Sequence, residues 1–128
     1  MIVVDTSVWV TALRGRATPQ ATELSRLLDR DEVALAAPVR VEILAGSSRR
    51  DLPRLRRTLS ALPLYYPDAT AWERIDAWID IAVAAGQRFG IADLLIAAVA
   101  VAQDAPLWSL DADFERMARL GFLEIHRP

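Results

Sequence analysis

A chain of 128 residues with 53% apolar residues is expected to form a single domain, residues 1–128, with a sizeable core. Its formal net charge of −2 argues against a nucleic-acid coat protein but allows an acidic centre with a basic rim. It has no cysteine, which excludes a disulfide framework and thiolate metal sites. No charge-free run of about 18 apolar residues occurs and the first residues lack a basic start, so neither a membrane span nor a signal peptide is expected, and a cytoplasmic protein is the simplest expectation.

Met1–Ser7 opens the chain as a short apolar run, branched in the middle, that ends in Asp5, Thr6 and Ser7. It reads as a buried strand with a carboxylate at its carboxyl end, where open α/β sheets place their ligands. Ser7–Leu13 is expected to be a short helix stopped at Gly15. Thr18 caps a second helix with Pro19 in its first turn and an apolar stripe of Ala21, Leu24, Leu27 and Leu28. Glu32–Ala36 alternates as a second strand. Pro38 begins a third helix carrying Val39, Glu42, Ile43 and Leu44, with Gly46 near its end. The arginine-rich stretch Ser47–Arg57 leads into an amphipathic helix marked by Leu52, Leu55 and Leu59. Leu62–Tyr66 reads as a third strand closed by Pro67.

Asp68 caps the next helix, where Trp72, Ile75, Ile79, Ala82 and Val83 follow at helical spacing up to Gly86. After a connector, Ile91–Gln103 is apolar almost all round and is expected to be a fully buried helix. Leu107-Trp108-Ser109 reads as a fourth strand, Asp111–Leu120 as a helix with Phe114 facing in, and Phe122–His126 as a fifth strand. Strands alternating with helices predict a three-layer α/β/α sandwich with a parallel, roughly five-stranded sheet.

The missing residue types narrow the chemistry. All 15 basic residues are arginine and the single histidine is His126. Schiff-base and P-loop lysine chemistry, a well-placed Ser-His-Asp triad and multi-histidine metal sites are therefore disfavoured. Carboxylates remain, and an all-carboxylate set favours hard cations such as Mg2+ or Mn2+. Asp5 follows a strand, Asp93 sits in the first turn of the most apolar helix, and Asp111 follows the fourth strand as Asp5 follows the first. Each also has an ordinary reading: Asp5 and Asp111 as helix caps, Glu42 as solvated surface, and Asp93 as a dipole-stabilised acid paired with an arginine such as Arg88. Asp113 competes with Asp111 for its role. Gathered at one end of a sheet, these acids would repel one another unless a cation lay among them. One ion, or two about 3.5–4 Å apart, would polarise a phosphate and activate a water. Thr6 and Ser7 add hydroxyls near such an ion or serve as caps. Arg49, Arg50, Arg54 and Arg57 are either a solvated face or a rim for an RNA backbone or an acidic partner peptide. The four tryptophans are expected in the core or at a dimer surface.

Four motifs taken together are identified with a family. "MIVVDTSVWV", "PVRVEILAG", "GIADLLIAAVA" and "LWSLDADFERMA" resemble, in order and at similar spacing, the acidic motifs of PIN-domain ribonucleases, specifically VapC toxins of toxin–antitoxin pairs. The last motif departs in carrying Trp108 and Ser109 where threonine or histidine is common. The resemblance implies endonucleolytic RNA cleavage with Mg2+ or Mn2+ held by Asp5, Glu42, Asp93 and Asp111, with Thr6, Ser7 and Asp113 as accessories. It also implies a homodimer, a VapB-like antitoxin, and a heterotetramer or larger complex with it. Two rival readings are a non-catalytic interaction module of the same fold and phosphoryl transfer through an aspartyl-phosphate on Asp5. The second normally needs a lysine, which is absent.

Overall fold

A computed structural model describes all residues from Met1 to Pro128. The order is β1 (Ile2–Val4), α1 (Thr6–Leu13), α2 (Pro19–Asp29), β2 (Val33–Ala36), α3 (Ala37–Ala45), α4 (Leu52–Ser60), β3 (Leu64–Tyr65), α5 (Ala69–Ala84), α6 (Ile91–Ala102), β4 (Leu107–Trp108) and α7 (Ala112–Arg119). The strands form one parallel sheet in the order β3-β2-β1-β4. Every residue of β1, β2 and β4 is buried. Side chains alternate between the two faces of a strand, so uninterrupted burial means that helices cover both faces. The expected α/β/α sandwich is the one observed.

Two of the expected strands are shorter than their apolar runs. Leu62–Tyr66 contracts to Leu64–Tyr65 because it lies between Pro63 and Pro67, neither of which offers an amide proton to a ladder. The Phe122–His126 segment makes a single parallel bridge, Ile125 with Leu107, rather than a fifth strand. The reason lies in β4. Leu107 turns both its backbone groups to the tail, donating to Glu124 O at 2.9 Å and accepting from His126 N at 2.8 Å, while the carbonyls of Pro106 and Trp108 serve β1. A strand of two residues has one rung to give on that side.

The helix ends follow local chemistry. Thr18 accepts from the Ala21 amide and Asp68 from the Ala71 amide, each fixing a first turn. Gly86 and Gly121 take positive φ just past α5 and α7, the usual way a helix is closed by a residue without Cβ. Helix α6 packs against α3, α5, α7 and β2 and buries Leu94 and Ile96–Ala100. It is not buried along its whole length, as its composition suggested: Ile91 is 65% exposed and lines an open hollow between α5 and α6. Trp9, Trp78 and Trp108 belong to the core, whereas Trp72 is 49% exposed.

The topology has one reversal. From β1 the chain steps outward to β2 and β3, then crosses back to place β4 on the other side of β1. The crevice beyond the carboxyl ends of β1 and β4 is therefore the switch point, where parallel sheets bind ligands.

Candidate metal centre

Asp5 lies at that crevice, directly after β1. It is the one buried charged residue of the chain, 5% exposed. Its Oδ2 accepts from Ser7 Oγ at 2.7 Å, Ser109 Oγ at 2.8 Å and the Ser7 amide at 3.3 Å. Both hydroxyls use their proton on Asp5, so each is free to accept. Ser7 Oγ takes the Leu110 amide at 3.0 Å and Ser109 Oγ the Asp111 amide at 2.9 Å. This web joins the end of β1 to the loop after β4. All three bonds fall on Oδ2, leaving Oδ1 for another ligand. Asp5 is thus both the cap of α1 and a wall of the crevice, and the two readings do not compete.

The other acids arrive from three further segments. Glu42, on α3, accepts from Thr6 Oγ1 at 2.8 Å, so Thr6 carries the exposed Glu42 to the end of β1. Asp93 stands in the first turn of α6. Asp111 caps α7 by accepting from the Asp113 amide at 2.9 Å, and Asp113 follows in the first turn. Asp93, Asp111 and Asp113 can each offer an oxygen within 4.8 Å of one another. Asp93 is pushed up to about 6, first by burial and then by Asp111, Asp5, Asp113 and Glu42. Four other acids therefore bear on one half-buried carboxylate that has no arginine partner. Arg88, weighed above as a counterion, is exposed and makes no bond to it.

The donor set suits a hard cation. It is all oxygen, several-fold anionic and half-buried, and it contains no nitrogen or sulfur ligand. A cation would remove the repulsion that raises Asp93. Both Asp111 and Asp113 are within reach, so the chain presents the two together rather than one in place of the other.

The arginine cluster is brought in only at its edge. Arg54 lines a groove with Glu42, Arg14 and Ser48 and faces Asp51 at 3.7 Å, while Arg50 is 3.6 Å from the same acid. Arg49, Arg50 and Arg57 are exposed and do not touch the acidic group. Two residues escaped the reading of the sequence. Ser109 anchors Asp5 across 104 positions, a contact no local pattern announces. Arg116 pairs with Asp113, and here the i,i+3 spacing of opposite charges was a visible signal. A hollow of about 520 Å³ lies away from this chemistry between α5 and α6, with Trp72, Ile79, Val83, Phe89 and Ile91 in its wall.

Residues 2–120 match the family model of the PIN domain. Ribonuclease VapC11 of Mycobacterium tuberculosis is 34% identical over an alignment covering 97% of this chain and 96% of that protein. Among solved structures, VapBC2 from Rickettsia felis, bound to a DNA fragment from its promoter, is similar with a TM-score of 0.80 at 23% identity, covering 98% of each chain. FitAcB from Neisseria gonorrhoeae is similar with a TM-score of 0.82 at 21% identity, covering 100% of this chain and 98% of that one.

Proposed function

The chain belongs to the PIN-domain family, and from that premise we propose that it is a VapC-type toxin, an endoribonuclease that hydrolyses RNA phosphodiester bonds with a carboxylate-held Mg2+ or Mn2+. The observation that carries the reading is the convergence of Asp5, Glu42, Asp111 and Asp113 on Asp93, which lacks a basic partner. Kinship to a ribonuclease along nearly the whole chain supports it.

Asp5, through Oδ1, with Asp93 and Asp111 would hold the cation. When bound, the ion would supply charge for a phosphate oxygen and lower the pKa of a coordinated water. Ser7 and Ser109 fix the Asp5 carboxylate before substrate arrives, so no reorganisation is needed during the reaction. Thr6 holds Glu42 at the open rim, where it can take the proton of the attacking water. Burial of Asp5 against three donors on Oδ2 disfavours its use as an exposed phosphoryl acceptor, and the retained acids disfavour a module that only binds.

A VapB-like antitoxin partner follows from the VapC kinship, and a homodimer is supported by the uncovered apolar hollow between α5 and α6. Contiguous exposed apolar surface of this kind is where soluble proteins associate. No helix is long and apolar enough to cross a membrane, and the site of action we propose is the cytoplasm, where the RNA is. The test is cleavage of RNA by the purified chain with Mg2+ or Mn2+, set beside EDTA and the Asp93→Asn variant. Metal-dependent internal cleavage by the wild type, lost in the variant, is expected. Undiminished cleavage by a folded Asp93→Asn protein would overturn the assignment.

A further inference from the structure

Arg116 binds three groups on two sides of the acidic centre. Its Nη2 donates to Asp113 Oδ1 at 2.7 Å and its Nη1 to Gln87 Oε1 at 2.9 Å. Its guanidinium lies 4.7 Å from the centroid of the Phe89 ring, a cation–π contact. Gln87 and Phe89 belong to the connector that runs into α6, whose first turn bears Asp93. That connector is itself anchored. Phe89 meets Phe122 edge-on at 6.3 Å, and Phe122 stacks on Trp78 at 4.8 Å. Arg116 therefore ties α7, with Asp111 and Asp113, to the segment that sets the place of Asp93. A planar fork with fixed donor directions can do this, where a flexible ammonium cannot.

We propose that Arg116 is a positioning residue of the metal centre, recruiting Asp113 as a working ligand by engaging one carboxylate oxygen and leaving the other for the cation. The side chain of Asp113 is 39% exposed and, without this hold, would be drawn to solvent by repulsion from Asp93 and Asp111. With Arg116 in place it stays within 4.8 Å of both. The inference rests on the metal-centre reading above, and it adds that Asp113 acts beside Asp111 rather than as a spare surface acid.

The experiment is direct Mn2+ binding by titration calorimetry on the intact chain, comparing wild type, R116Q, D113N, the double variant and R116K, with melting in EDTA to confirm folding. R116Q and D113N are each expected to weaken Mn2+ binding by about 10–100-fold, the usual cost of losing a partner that orients a ligand. The double variant should be no worse than the poorer single one, because both act through one carboxylate. R116K should bind several-fold more weakly than wild type but better than R116Q. Unchanged or tighter binding by R116Q, or additive losses in the double variant, overturns the proposal. If R116Q does not fold, wild-type affinity in a folded R116K overturns it equally. A wild type that binds no Mn2+ overturns the metal-centre reading itself, and this inference with it.

Discussion

At the scale of single residues, the centre depends on charge that is held in place before any ion arrives. Asp93→Asn and Asp5→Asn keep shape and remove charge. Each is expected to lower metal-dependent RNA cleavage by more than the roughly 100-fold upper end seen for residues that merely orient ligands, and cleavage rates at saturating Mn2+ check this. Ser109→Ala removes one donor to Asp5 Oδ2. It should cost about 10–100-fold in Mn2+ affinity and about 1.5–3 kcal/mol of unfolding free energy, the usual worth of a hydrogen bond to a charged group. Wild-type Mn2+ affinity in a folded Ser109→Ala protein would make Ser109 a structural residue only.

Asp93 also gives the metal-free protein a pH dependence. Its carboxyl is raised from 3.8 to about 6, chiefly by burial. The folded chain keeps a proton that the unfolded chain releases, so this contribution to stability is full below 3.8 and is lost as pH rises toward 6. In EDTA the melting temperature is expected to fall across that window in wild type and to vary less in Asp93→Asn. Added Mg2+, which favours the ionised carboxylate, should raise the melting temperature more at neutral pH than in acid. A metal-free wild type that does not lose stability relative to Asp93→Asn as pH rises through the window would contradict the placement of Asp93 among four other acids.

At the scale of elements, α6 joins core and site. Its alanines Ala97, Ala98 and Ala100 are fully buried, allowing close approach to its neighbours. Ala97→Leu should overfill that contact and cost about 1–3 kcal/mol, read as a shift in the denaturation midpoint. The helices were largely legible in the sequence, because caps such as Thr18 and Asp68 and the 3.6-residue apolar stripes are local signals. Strand β4 stops at Trp108, one residue short of the expected Ser109, but the end of β1 was legible too, since an apolar run stopping at Asp5 is visible in one dimension. The true length of the last strand was not: it depends on how many rungs β4 can offer, which is set by the partner and not by Phe122–His126. The exposure of Ile91 was hidden for a related reason, because composition reports the character of a helix and not which of its faces the neighbouring elements leave uncovered. The links from Ser109 to Asp5 and from Thr6 to Glu42 span 104 and 36 positions, and only the strand order brings those hydroxyls to the acids.

At the scale of the molecule, the uncovered hollow between α5 and α6 sets expectations for association. Ile79 and Val83 are 44% and 60% exposed and line its wall. Ile79→Glu with Val83→Glu should shift a dimer to monomer in light scattering or sedimentation without loss of helical signal. A dimer that persists would move the contact to another face.

The acids of the centre come from β1, α3, α6 and the start of α7, so Asp5 waits for residues 111 and 113 of a 128-residue chain. Ser109, which steadies the first acid, is also among the late arrivals. A polypeptide that folds as it is made holds only part of the ligand set until residues 111 and 113 have joined the end of the sheet, so the proposed metal centre is completed late in the order of the chain.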